Sequence, residues 1–170
     1  WLPSYATVYQ QSYASAITGT VGLYLATAAT VSSNEFFNAP PTANAASASK
    51  QGFGLMYSSS DGLTGTWKFI AATTTEYGVV DTGVQWTTDG ATPRHFALMI
   101  WQGPTAVYGE IWEVSGTPTR LWGGSLPIVS FATTGLQIVA WSLAKTLAAS
   151  TISVVHGYGT AGYMTGVEAA

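Results

Sequence analysis

Two histidines, eight carboxylates and five basic side chains are all that this 170-residue chain offers for acid–base or ionic chemistry. Nucleophilic catalysis needs a Ser, Cys or Thr held against a His that a carboxylate orients. His95 follows Arg94 at a strand entrance, His156 lies mid-strand between Val155 and Gly157, and the chain contains no Gly-x-Ser-x-Gly elbow. Glu110 and Glu113 flank Trp112, but a separation of three residues puts them on opposite faces of a strand. A glycoside-hydrolysing pair must instead converge across ~5–9 Å. Cysteine is absent, and neither a zinc-type His spacing nor an Asp-x-Asp-x-Asp-Gly calcium loop occurs. Asp61 and Asp89 each precede a glycine, which a tight turn demands on its own account. These residues predict a protein that is not an enzyme and holds neither metal nor cofactor.

Aromatic rings are the chemistry that remains, since the chain has seven Trp and nine Tyr. Flat rings beside amides or carboxylates can stack on sugars and fix their hydroxyls. Four rings stand in such company: Trp112 near Glu110, Trp122 near Arg120, and Tyr158 and Tyr163 around the Gly157–Gly162 loop. They are the candidate ligand or contact residues. Phosphate recognition requires clustered Lys or Arg, whereas Lys50, Lys68, Arg94, Arg120 and Lys145 are scattered singly, so no nucleic-acid partner is expected.

Composition then constrains the surroundings of these residues. Charged residues make up 8% of the chain, where soluble domains carry about 25%. No charge occurs from Trp1 to Asn34. An exterior this poor in charge must be covered by Ser, Thr, Gly and Ala, or be pressed against neighbouring subunits. A homo-oligomer or lattice component is expected. Asn34, Asn38 and Asn44 form no Asn-x-Ser/Thr sequon. Ala14 to Val31 is interrupted by Gly19, Thr20 and Gly22, and reads as a strand region, not a signal peptide or membrane span.

Short apolar runs bounded by Gly, Pro, Asp and Ser recur along the chain, which is the pattern of a sandwich or barrel. The expected strands are a run through Val21, Leu23 and Leu25, then Phe53–Ser58, Thr66–Thr73, Val79–Thr87, Phe96–Trp101, Ala106–Val114, Thr119–Trp122, Leu126–Phe131, Leu136–Trp141, Thr151–Tyr158 and Tyr163–Val167. Phe96-Ala-Leu-Met-Ile-Trp101 is continuously apolar, so it reads as a central strand covered on both faces. Residues 38–52, with Pro40-Pro41 among small residues, read as a loop or arm. The whole predicts one all-β domain over residues 1–170: a two-sheet antiparallel β-sandwich, jelly-roll-like, of about ten strands.

The C-terminal third adds a resemblance. Thr134-Gly-Leu-Gln-Ile-Val-Ala-Trp141, Leu147-Ala-Ala-Ser-Thr151 and Gly157-Tyr-Gly-Thr-Ala-Gly-Tyr163 resemble the closing strands of jelly-roll domains in bacteriophage virion proteins, such as capsid decoration proteins, head fibres and tail-fibre heads. That resemblance implies a structural protein on the virion surface, with a trimer favoured and other virion proteins as partners. Two alternatives stand beside it. One is a secreted or surface carbohydrate-binding module that uses the four rings. The other is a self-assembling filament or coat subunit whose uncharged N-terminal 34 residues act as an interlocking arm.

Overall fold

The structure, a computed structural model, describes residues 4–10, 19–27, 51–58, 66–85, 94–131, 137–144 and 152–159; side-chain environments are described for 22–27, 51–57, 66–85 and 96–131. Among these residues the protein is all-β, with no helix. The strands are β1 (Ser4–Gln10), β2 (Gly19–Ala26), β3 (Gly52–Ser58), β4 (Trp67–Ala72), β5 (Tyr77–Asp81), β6 (Arg94–Gln102), β7 (Val107–Glu113), β8 (Thr119–Leu126), β9 (Gln137–Ala144) and β10 (Ile152–Gly159). They form two antiparallel sheets. One runs β5-β4-β3-β2 and continues to β9; the other runs β8-β7-β6 and continues through β1 to β10.

The two inner faces meet in a core of large apolar side chains. Leu23, Phe53, Leu55, Trp67 and Phe69 from the first sheet face Phe96, Leu98, Ile100, Val107 and Ile111 from the second. Trp67 packs its ring against Tyr57 at 5.9 Å and Phe96 at 6.0 Å, both tilted as the ring quadrupoles prefer. Burying a Trp or Phe of this size is worth about 3–5 kcal/mol by truncation, so a few such rings outweigh every surface ion pair in the molecule.

One strand expectation is corrected by burial. Phe96–Trp101 is not covered on both faces: Phe96, Leu98 and Ile100 are buried, while Ala97, Met99 and Trp101 are only partly so. The apolar run therefore combines an inner face with an outer face that is itself apolar. Double burial belongs instead to β2, β3 and β4, whose described residues are buried without alternation. Small residues permit this. Tyr24 lies across the neighbouring strand where side chains are missing, so that a Cβ at Gly54 would stand 2.6 Å from Tyr24 Cδ2 and one at Gly52 2.5 Å from Cε1.

Other boundaries differ for local reasons. The strand expected at Val79–Thr87 begins at Tyr77 and ends at Asp81. Asp81 Oδ1 accepts a hydrogen bond from Gly83 N at 3.0 Å, and Gly83 adopts a positive φ of 69°, so the chain turns there. Thr73 opens the preceding turn: its buried Oγ1 accepts from Glu76 N at 2.9 Å and Thr75 N at 3.2 Å. Leu126–Phe131 is not a strand. Leu126 ends β8, Pro127 cannot donate, and Ile128 and Phe131 fold back on Leu126 and Val129 through tight N–H···O contacts of 2.8 and 2.9 Å. Phe131 then closes the core against Phe53 at 5.3 Å. The N-terminal segment contributes β1, which pairs with β6 and β10 of its own chain. Of the loop expected at 38–52, Gly52 is instead the first residue of β3, and residues 38–50 lie outside the described residues, as does the expected strand Tyr163–Val167.

Gly54→Ala tests the close approach of β2 and β3. The new Cβ would meet the Leu23 carbonyl oxygen at 2.1 Å, a backbone atom that cannot step aside as a flexible side chain would. Chemical denaturation should show a loss of at least about 2 kcal/mol.

Candidate functional site

β6, β7 and β8 form a meander whose outer face gathers the polar and aromatic groups. In β7 the alternation is strict: Val107, Gly109 and Ile111 turn to the core, and Tyr108, Glu110 and Trp112 turn outward. Register sets their neighbours. Trp101 pairs with Tyr108, Met99 with Glu110 and Ala97 with Trp112. On the other side Tyr108 pairs with Ser125 and Glu110 with Gly123.

A β-bulge completes the arrangement. Ile111 opposes Trp122, yet Trp112 opposes Arg120, so Leu121 is an extra residue in β8. Without it, Arg120 and Trp122 would share a face, since they are two residues apart. With it, Leu121 and Trp122 both pack toward the core and Arg120 turns to the outer side.

Glu110 is the centre of the outer face. Trp112 Nε1 donates to Glu110 Oε2 at 2.7 Å, and Arg120 Nη1 donates to Oε1 at 3.1 Å. The Glu110 side chain is 15% exposed and that of Arg120 41%. A pair this open contributes at most about 1 kcal/mol to stability, so it acts chiefly to fix orientation. Two residues along the same β6–β7 ladder, Trp101 and Tyr108 stack almost parallel, with centroids 5.3 Å apart and planes at 8°.

The four expected rings take different positions. Trp112 is on this outer face, bound to Glu110. Trp122 packs inward, 5.5 Å from Phe69, in room left by Gly109 and Gly124. Tyr158 occupies a register position in β10 opposite Tyr5, which itself pairs with Met99. Tyr163 lies outside the described residues. The Trp101–Tyr108 stack was not foreseen. Its signal was present: a hairpin turn at Gly103–Ala106 fixes Gln102 opposite Val107, and hence Trp101 opposite Tyr108.

The two histidines lie on the strands that flank β1, His95 opposite Tyr9 and His156 opposite Thr7, so β1 stands between them and they are not register partners. Among the described residues no group of three or more His, Asp or Glu gathers where it could hold a metal ion. Burial pushes the Tyr77 phenol up to about 12, and burial, with a smaller contribution from the nearby Tyr77, raises Tyr24 well above its ordinary value, so neither serves as an acid–base group near neutral pH. No helix of the described residues is long and apolar enough to cross a membrane. Comparison of the chain with protein-family models, with curated proteins and with solved structures returned no match.

A second ionic pair lies on the opposite sheet. Lys68, buried in β4, donates to Asp81 of β5 directly across the ladder and to Thr66 Oγ1 at 2.9 Å. Hydrogen bonds from Lys68 and then from Gly83 N hold the Asp81 carboxyl below its ordinary 3.8. A carboxylate depressed on folding stabilises the native state above its unfolded pKa, and that stability is lost as the pH falls through the folded value. Asp81→Asn should therefore lower the melting temperature near neutral pH and make little difference well below pH 3.8. Thermal melts of both proteins across that range would show equal losses throughout if the pair were unimportant.

Proposed function

We propose that the chain is a structural surface subunit of a larger assembly, of the bacteriophage virion type, meeting copies of itself and other assembly proteins through strand edges poor in unpaired charge. Val79 carries this reading. It is 43% exposed at the centre of β5, the outermost strand of its sheet, and among the described residues no other large hydrophobic side chain is exposed. A lone exposed valine is ordinary on a soluble protein. Its setting is not. Edge strands of monomers are normally blunted with Lys, Pro or an inward-pointing charge, because their backbone is a template for pairing. β5 reads Tyr-Gly-Val-Val-Asp, and its one charge, Asp81, is engaged by Lys68.

β8, the outermost strand of the other sheet, stands beside it, since a Cβ at Gly78 would touch Leu126 at 2.9 Å and Ile128 at 3.1 Å. Its exposed residues Thr119, Gly123 and Ser125 are uncharged, and Arg120 is engaged by Glu110. Two edges whose charges, Asp81 and Arg120, are each already paired within the subunit stand side by side and suit a subunit contact, in a trimer or a larger shell. The finer fold reading is a jelly-roll-like sandwich of about ten strands. Supporting it is the nesting of β2–β9 inside β1–β10, while β2–β5 and β6–β8 run as consecutive meanders.

Size-exclusion chromatography with light scattering should give a mass several times that of one chain. Val79→Lys should shift it toward a single chain while leaving the melting temperature within a few degrees, as surface changes of about 0.5 kcal/mol do. A wild-type protein that stays a single chain at every concentration would overturn the assembly reading.

A further inference from the structure

We infer that the outer face of β6–β7–β8 is a binding site for a neutral oligosaccharide, centred on rings of β6 and β7, bordering the β8 edge at Arg120 and Gly123 and lying on the other sheet from the β5 edge that carries Val79. Three features point to this ligand. First, the face offers aromatic surface at two places, the Trp101–Tyr108 stack and the Trp112 ring, all partly exposed. Tyr108 and Trp112 are four residues apart in one strand, which is roughly 13 Å. One sugar cannot span both, and a chain of sugars can.

Second, between the rings lies a hydrogen-bonding centre held in place before any ligand arrives. The Glu110 carboxylate is oriented by Trp112 Nε1 at 2.7 Å and Arg120 Nη1 at 3.1 Å. An ionised carboxylate has about four acceptor sites, so two bonds leave it able to accept from hydroxyls, and the Arg120 fork has five donors. Donors and acceptors fixed side by side match the paired hydroxyls of a sugar ring. Gly123, opposite Glu110, has no side chain to cover them, and a Cβ there would stand 3.6 Å from Glu110 Cγ and 3.7 Å from Arg120 Cδ.

Third, the charges cancel. Glu110 and Arg120 pair with each other, and Met99, Ala97, Gly123 and Ser125 around them are uncharged. A polyanion would need unpaired Lys or Arg. An apolar protein surface would leave the Glu110–Arg120 pair desolvated with its remaining hydrogen bonds unmade, which is costly. A neutral, hydroxyl-rich chain satisfies both groups and stacks its apolar C–H faces on the rings.

Native affinity electrophoresis through gels containing soluble neutral polysaccharides (xyloglucan, galactomannan and mixed-linkage β-glucan) and anionic ones (alginate and heparin) tests this. Retardation by at least one neutral polysaccharide, unchanged by added salt, is expected. Trp112→Ala and Trp101→Ala should each weaken it about tenfold or more, and circular dichroism would verify that both variants fold. Glu110→Gln should weaken it less than Glu110→Ala. Retardation by none of the neutral polysaccharides, by the anionic ones alone, or undiminished in both Trp variants would overturn the assignment. The Val79→Lys single chain should still be retarded by the same neutral polysaccharide, with only the loss that reduced valency brings, and Trp112→Ala should abolish that remaining retardation, which separates this site from the proposed assembly edge.

Discussion

The interlocking of aromatic rings between the sheets is what the rest of the structure depends on. Trp67 and Phe69, two residues apart on β4, reach across to Phe96 at 6.0 Å and Trp122 at 5.5 Å. These contacts fix which face of β6 and β8 is inner, and therefore which face is outer. Because strand side chains alternate, the orientation of Glu110 and Trp112 follows from the burial of Val107, Gly109 and Ile111. The outer face is a by-product of the core until the bulge at Leu121 intervenes and brings Arg120 to it.

Charge is used sparingly, and four of the described charges stand in cross-strand pairs. Lys68 meets Asp81, and Arg120 meets Glu110. In a chain with five basic residues, committing two of them to cross-strand pairs leaves little for long-range attraction of ionic partners. Recognition by such a molecule has to come from shape, stacking and short-range hydrogen bonds. Both functional readings advanced above share that property, one at the strand edges and the other on a sheet face.

The all-β class and the two antiparallel sheets were legible in the sequence, because turn residues punctuate the chain and alternation marks strands. So was the β6–β7–β8 meander, since Gln102-Gly103-Pro104 and Ser115-Gly116-Thr117-Pro118 leave the chain few alternatives. Which strands are covered twice was not legible. Phe96–Trp101 is apolar throughout and yet only partly buried on one side, whereas β3, with its glycines, is buried on both. Hydropathy reports what a face tolerates, and coverage depends on what the rest of the chain lays over it. The site was legible only in pieces. The sequence singles out Glu110, Trp112 and Arg120, but its spacing groups Arg120 with Trp122, because an inserted residue in a strand leaves no compositional trace.

Coverage of β2, β3 and β4 from both sides has a consequence for the kinetics of the molecule. Backbone amides in the middle of that sheet, such as those of Tyr24, Leu55 and Phe69, have no route to solvent through a fraying edge or a bare face. Deuterium reaches such amides only when the whole fold opens, so their exchange rate reads out the global unfolding equilibrium. The strand at Tyr77–Asp81, one position away, exchanges through local opening instead, and the difference between the two measures how far cooperativity extends from the centre of the sandwich to its rim.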